Sequence, residues 1–557
     1  MRLVTGPRGA RARQTAGSSG VYTNFANEVP ADPVGRAPPT VYAPQPQACG
    51  LWYLTMMSGV RRWDRRNLAL FVVAALLVAF VRFFPSYEHF IPQACDEFGY
   101  LELADAFARG IPAAEHVNRP FRAGLLAELS RHTQEDEYRW MVAPHAYHVL
   151  GGTNRIINQY PPGTSVLLSA FPRALRASSF PLIVIAMWFA FSLAAAYASP
   201  DVEKRQSTIG TIAVLSACLF IPPLSSEIET VTSVAPTFGL LIAAGMMLAR
   251  RPVWSVLLVS LSIVFRVSNI VILVPVALYA LSSDTDSLRA IARRIPSVVL
   301  AALPGVVLVL LWQYLVTGSP FHSTYSVVDQ AWAPLTAWGT NFAFYFFHYP
   351  LWAPIHLLLF MVAFRLRRMG LLAARDARWL VVTAALNYLF FIAHDVTMPY
   401  YPYASAILVL GALVPHLARL RMWQKAVEHQ TVVASAVLAL SVFVLVASRA
   451  GAPTRVSAQT YRSCFSDTDV VWAQERGTSV QYTTGLAAFR WPWGSTKARR
   501  IALRYLDQHH FRQMVWLSDL PVSRATIESD LDAAGLEARA VVCPELGTVL
   551  RISAPPR

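Results

Sequence analysis

Residues 95–110, CDEFGYLELADAFARG, and residues 158–171, NQYPPGTSVLLSAF, open and close a long polar segment between the first hydrophobic span and all the others. Adjacent carboxylates, Asp96 and Glu97, stand at its opening, and Tyr160-Pro161-Pro162-Gly163 stands near its close. Phe98, Leu101, Ala104 and Ala108 recur at helical spacing, so the carboxylates begin an amphipathic helix expected to lie along a membrane surface. Acids at a helix start have a plain use, because they satisfy free N–H groups and the helix dipole. They have a chemical use as well, as a base for an attacking hydroxyl at the headgroup level. The paired prolines fix an extended approach and then start a helix, and the apolar run 164–171 after them is too short to span a bilayer.

Working outward, the chain of 557 residues is 55% hydrophobic and 15% charged, with a mean hydropathy of +0.39. Soluble domains carry about 25% charged residues, so this is a polytopic membrane protein. The net charge of +15 is not a nucleic-acid signature, because the arginines cluster between hydrophobic spans, as the positive-inside rule places them. Five cysteines are too few for a disulfide scaffold. Two of them, Cys464 and Cys543, share the polar C-terminal region, and a disulfide there is an open option. Residues 1–60 are rich in Gly, Pro, Ser, Ala and Arg without an apolar period, and disorder is expected. They lack a signal-peptide apolar core, and Met56 and Met57 before SGVRRWDRR resemble an ordinary cytoplasmic start.

Candidate spans are 67–84, 180–199, 207–224, 231–249, 294–316, 341–364, 378–394, 402–419 and 430–448. The run 253–283 is interrupted by Arg266-Val267-Ser268-Asn269 and has arginines on both flanks. It is expected to cross twice, as two short helices with Arg266 near the outer turn, giving about eleven crossings. With Arg61, Arg62, Arg65 and Arg66 inside, the other inside loops hold Lys204/Arg205, Arg250/Arg251, Arg289–Arg294, Arg365–Arg378 and Arg419–Lys425. The outside loops 225–230, 317–340 and 395–401 contain no Lys or Arg. The expected fold is therefore a disordered cytoplasmic N-terminus (1–60), a transmembrane domain (61–450) with a first external loop at 85–179, and an extracytoplasmic α/β domain (451–557). In that last domain strands are expected at 470–473, 479–483, 514–517, 539–542 and 548–552, and helices near 496–508 and 522–534, the second stopping at Gly535.

Arg266 is the residue most in need of explanation, because an ionisable side chain within an apolar run usually marks a site; its plain reading is an arginine that snorkels or pairs internally. His322 and His394, in outer loops, are secondary candidates, each more naturally structural when taken alone. Glu227-Ile228-Glu229 offers two carboxylates that, with Asp96, are a candidate divalent-cation site, although hard cations want more oxygens than this. Trp332, Trp338, Tyr345, Trp352, Tyr400, Tyr401 and Tyr403 gather near outer ends and read mostly as an interfacial belt.

The ordered set of motifs is more specific than any one of them. It comprises a basic start, one span, DEFGYLELADAFARG at 96–110, YPPG at 160–163, FRVSN at 265–269 and TGSPFHSTY at 317–325. Together they resemble the GT-C superfamily of polyprenyl-phosphate-sugar-dependent glycosyltransferases, which includes protein O-mannosyltransferases and bacterial enzymes that decorate lipid A or cell-wall polymers. Two departures stand out: Val267 where a proline is usual, and His394–Tyr403 where many relatives carry a basic residue. The resemblance implies a membrane glycosyltransferase with a polyprenyl-phosphate-linked sugar donor and a lipid, glycan or protein acceptor. Asp96 and Glu97 are its expected catalytic pair, and Arg266, Tyr100, Tyr160, His322, Tyr325 and His394 its expected substrate and phosphate contacts. No cofactor is required beyond the candidate cation, and no nucleic acid is expected. The expected location is the bacterial inner membrane, N-terminus inside. A transporter or flippase would predict internal repeats and mid-membrane charges, of which only Arg266 is found; a non-catalytic envelope assembly protein would make the C-terminal domain the working part.

Overall fold

The computed structural model describes residues 95–111, 120–153, 155–216, 224–282, 288–325, 332–420, 457–474 and 476–555, with 72, 92 and 219. The chain divides into two units, Met1–Val60 and Arg61–Arg557. The first unit, the span expected at 67–84 apart from residue 72, and the span expected at 430–448 lie outside the described residues. In chain order the helices are α1 (Cys95–Arg109), α2 (Pro120–His132), α3 (Gly163–Ser169), α4 (Arg176–Tyr197), α5 (Val202–Leu215), α6 (Leu224–Glu229), α7 (Thr237–Met247), α8 (Pro252–Ile263) and α9 (Ile270–Leu281). They continue as α10 (Leu288–Thr317), α11 (Leu335–Ala343), α12 (Ala353–Arg368), α13 (Ala374–Ile392), α14 (Tyr403–Leu417), α15 (Ala458–Cys464), α16 (Gly477–Thr484), α17 (Thr496–Gln508) and α18 (Arg524–Ala534). The strands are β1 (Tyr147–Val149), β2 (Ile156–Asn158), β3 (Val470–Ala473), β4 (Ala487–Arg490), β5 (Gln513–Trp516), β6 (Glu537–Cys543) and β7 (Gly547–Ser553).

Among the described residues two helical stretches are long and apolar enough to cross a membrane alone, Arg173–Tyr197 and Leu288–Thr317. The expected span 341–364 is not one straight helix. Leu335–His348 and Ala353–Arg368 meet at 74°, because Pro350 has no N–H to continue the helix and disfavours helical backbone at Tyr349. A single π-helical turn, Phe344–His348, precedes the break. The run 253–283 does form two short helices, α8 and α9, of twelve residues each, packed against one another with Arg266 between them. Helices α7 and α14 cross closely at Gly245 and Gly411. A Cβ on Gly245 would stand 2.1 Å from the Leu408 carbonyl, and one on Gly411 2.3 Å from that of Ile242, the small-residue contact by which membrane helices approach.

Helix α1 departs from the expected interfacial helix with one wet face: residues 97–106 are all buried. It lies against α3 and α16, and its polar side is consumed by arginines from further along the chain. Arg176 Nη1 donates to Asp105 Oδ1 at 3.1 Å and Arg173 Nη2 to Glu102 Oε1 at 3.1 Å.

The C-terminal region is a five-stranded mixed sheet in the order β4-β3-β5-β7-β6. Four of the expected strands and both expected helices are found, and Gly535 ends α18 at φ +75°. The stretch 479–483 corrects the strand reading: it belongs to α16. Strands β3 and β4 pair in parallel, and a parallel pair needs a crossover, which a helix supplies. Cys464 and Cys543 are disulfide-bonded, tying α15 to β6.

Candidate active site

Asp96 lies in the first turn of α1, and its Oδ1 accepts a hydrogen bond from the Tyr160 hydroxyl at 2.5 Å. Helical spacing puts Tyr100 on the same face as Asp96, and the Tyr100 and Tyr160 rings stack at 4.8 Å. Gly99 makes room for this, since a Cβ there would fall 2.5 Å from Tyr160 Cδ2. Burial, then the Asp96 charge, holds the Tyr160 phenol well above its usual range, so it stays a donor. Burial does the same to Tyr100, with Tyr325 and Asp96 adding to it. Glu97, one residue on, is 5% exposed.

The YPPG motif is the joint between the first loop and the Arg266 turn. Gly163 N donates to the Val264 carbonyl at 3.0 Å, and a Cβ on Gly163 would sit 2.8 Å from that oxygen, so the backbone closes only on glycine. Thr164 Oγ1 donates to the Thr232 carbonyl at 3.1 Å, and Ser165 Oγ to that of Tyr100 at 2.9 Å. Thr324 Oγ1 donates to the Gln159 carbonyl at 3.0 Å, which draws Tyr325 to the same place.

Arg266 caps this floor. It is 8% exposed, its Nη1 donates to Ser233 Oγ at 3.0 Å, and its Nε is buried without a hydrogen-bond partner among the described residues. Its guanidinium lies over Tyr400 at 5.1 Å, Tyr401 at 5.0 Å and Tyr403 at 5.9 Å. Three rings at these distances supply cation–π attraction to a charge that burial would otherwise penalise. Tyr403 is anchored in turn, its hydroxyl 2.9 Å from Thr237 Oγ1 and 3.3 Å from Asn269 Oδ1. These tyrosines are therefore not belt residues; Tyr403 is fully buried and Tyr345 and Trp352 nearly so, while Trp332 is exposed. The missed signal was the Tyr-Tyr-Pro-Tyr run at 400–403. That run carries no cation but encloses one supplied by the 265–269 turn.

The acid and the cation share one electrostatic neighbourhood. Asp96 and Arg266 both act on Tyr100, Tyr400 and Glu227. Burial pushes the Glu227 carboxyl up to about 7, with Arg266 opposing and Asp96 reinforcing. Tyr325 lies within reach of both Arg266 and Tyr100. His394 stands one ring further out: its imidazole is 6.2 Å from the Tyr401 ring, and the Val396 N–H donates to its Nδ1 at 3.1 Å. His322 is exposed on the turn after α10 and lies near His148. Among the described residues no three His, Cys, Asp or Glu side chains converge into a metal ligand set; the Glu229 side chain lies outside them.

No protein-family model and no curated protein sequence matches the chain. Solved structures do. ArnT from Cupriavidus metallidurans in the apo state aligns with a TM-score of 0.50 at 13% identity, covering 88% of this chain and 99% of that one. The same protein bound to undecaprenyl phosphate aligns at 0.48 and 14%, with the same coverage. At that identity the likeness speaks for architecture alone: the chain shares the fold of the ArnT structure along nearly the whole of that protein.

Proposed function

We propose that this protein is an inverting glycosyltransferase that moves a sugar from a polyprenyl-phosphate donor to an acceptor hydroxyl at the outer face of the inner membrane. The observation that carries the reading is that Asp96, fixed by Tyr160, and Arg266, a buried cation caged by tyrosines, act on the same side chains, Tyr100, Tyr400 and Glu227. Transfer from a polyprenyl phosphate needs these two functions: a base for the hydroxyl and positive charge at the departing phosphate. The Asp96 carboxylate takes the hydroxyl proton as the acceptor oxygen attacks the anomeric carbon. The bond from that carbon to the phosphate oxygen breaks on the opposite side, and the electron pair leaves with the lipid phosphate facing Arg266. Tyr100, Tyr325 and His394 border the space for donor and sugar, His322 sits at the outer loop, and Glu97 supports the start of α1. The Cys464–Cys543 bond supports an oxidising, extracytoplasmic setting for the C-terminal domain, in keeping with the arginine asymmetry of the loops.

Glu227, with Glu229, is where a divalent cation would bind. Two carboxylates, one of them held near neutrality by burial, make a poor ligand set without further oxygens; chelator treatment of the active enzyme tests the point. The main test uses a deletion strain complemented with wild type or Asp96→Asn. Asparagine keeps an acceptor for the Tyr160 hydroxyl, so the fold stands while the base is gone. Mass analysis of lipid extracts should show one sugar-bearing species lost in the deletion, restored by wild type and reduced about 10²–10⁴-fold in rate with Asp96→Asn. Full restoration by Asp96→Asn would remove this residue from the chemistry.

A further inference from the structure

Resting on the reading of Asp96 as the base, we infer that Arg490, in the C-terminal domain, is a positioning residue for that carboxylate. Arg490 ends β4 and is 3% exposed, and it spends its side chain on the backbone of the first external loop. Its Nε donates to the Trp140 carbonyl at 2.8 Å and lies 3.3 Å from that of Ala143, and its Nη2 donates to the Tyr147 carbonyl at 3.0 Å. Its own N–H donates to the Met141 carbonyl at 2.8 Å. A planar fork reaches carbonyls in several directions at once, which an ammonium on a flexible stem does not.

From Tyr147 a path of strand pairing and hydrogen bonds leads to the acid. Tyr147 opens β1 and pairs with Asn158 of β2. Asn158 Nδ2 donates to the Gly99 carbonyl in α1 at 2.9 Å, and its Oδ1 accepts from the Tyr160 N–H at 2.8 Å. Tyr160 then donates to Asp96. The path carries strain as well: Ala146, beside Tyr147, is left-handed at φ +82°. That conformation is costly for a non-glycine residue and persists only where neighbours fix it. The Ala146 carbonyl accepts from Gln159 at 3.1 Å, so a strained residue joins the segment Arg490 holds to the segment that holds Asp96. The domain thus sets the geometry of a site it does not enter.

The test uses full-length protein in lipid nanodiscs and Arg490→Lys, which keeps the charge and loses the fork. Its kcat should fall about 10- to 100-fold, as expected for a base displaced by an ångström or less, with donor KM within about twofold. Amides 156–160 should exchange hydrogen about tenfold faster while the membrane helices are unchanged. A staple then separates positioning from general damage. A Cβ on Gly494 would stand 3.1 Å from Met141 Cβ, a small adjustment from the roughly 3.5–4.5 Å of a disulfide. Met141→Cys with Gly494→Cys, oxidised, should restore both kcat and exchange in the Arg490→Lys background, and reduction should abolish the rescue. Unchanged kcat, or a loss the staple leaves in place, overturns the inference. If Arg490→Lys does not fold, Ser495→Ala, which removes a 2.6 Å bond to Glu137, is read the same way, and unchanged exchange at 156–160 refutes it. Wild type that transfers no sugar would defeat the proposed function instead, and the exchange measurement would still decide the coupling.

Discussion

Replacing Arg266 with methionine should move stability and activity in opposite directions. The guanidinium is nearly buried, with one hydrogen bond to Ser233 and three tyrosine faces at 5.0–5.9 Å. Each face is worth about 0.5–2 kcal/mol, set against a desolvation penalty of several kcal/mol for a buried ion. Methionine fills a similar volume among the aromatic rings and carries no such penalty. Ser233 keeps Tyr100 as a partner. Glu227, already pushed up to about 7 by burial and lowered by Arg266, would take up a proton and so avoid an uncompensated charge. Exchanges of this kind are neutral or stabilising by about 1–4 kcal/mol. Loss of the positive charge at the departing phosphate should cost about 2.7–4 kcal/mol of transition-state stabilisation, a factor of about 10²–10³ in kcat. Arg266→Lys should fall between the two, since it restores a charge without the planar fit. The assays are transfer from a polyprenyl-phosphate sugar and thermal unfolding in the same detergent. A methionine variant within about threefold of wild-type kcat would separate Arg266 from the phosphate. One that unfolds several degrees lower would make the cage a structural device and refute the energetic accounting.

Glu227 gives a pH test: a carboxyl raised in the folded state contributes stability that is full below its unfolded value and lost as pH rises through about 7. The melting temperature should therefore fall between pH 5 and pH 8 and flatten in Glu227→Gln; an identical slope in the variant sinks the assignment. Gly163→Ala must force its methyl against the Val264 carbonyl and the Phe265 ring, at a cost of about 1–3 kcal/mol, and should lower both melting temperature and kcat. Unperturbed kinetics would mean that the joint between the two motifs does not matter. Cys464→Ser with Cys543→Ser opens a loop of separation 79, worth about 4–5 kcal/mol in the chain-entropy account. Limited proteolysis should then cut within 457–555 while the membrane helices resist, and an unchanged digest would show the bond to be dispensable.

Several features were legible because a single residue carries a large cost. An arginine inside an apolar run cannot sit in hydrocarbon, so 253–283 had to turn at Arg266, and it does. Ser495, just before the helix expected at 496–508, caps α17 by accepting from Ala498 N at 3.1 Å. Other features depend on partners far away in sequence. The polar face of α1 looked solvent-facing because Glu102 and Asp105 gave no sign of Arg173 and Arg176 some seventy residues on. The stretch TSVQYTT has β-branched residues in strand-like alternation, yet it is the crossover of a parallel pair, a demand set by β3 and β4 together.

The same distinction explains the tyrosines of 400–403. Taken alone, each is an amphipathic ring near a membrane interface, and the belt is the cheaper reading. What changes it is the cost already identified at Arg266. A buried guanidinium needs nearby groups to offset lost hydration, and no carboxylate neighbours it in the 265–269 turn. Histidine or lysine at 400–403 would have added repulsion, whereas aromatic faces add attraction without a counter-charge. A carboxylate there would have neutralised the cation and left it nothing to offer an incoming phosphate. Rings stabilise the guanidinium while leaving its formal charge intact. On this argument the cation sits on the α8–α9 turn and the aromatic run at 400–403 is its counterpart. Exchanging the two, with Arg266→Tyr and Tyr401→Arg in one chain, should recover part of the transfer that either change alone abolishes. No recovery at all would mean that the turn fixes the direction of the charge as well as its presence.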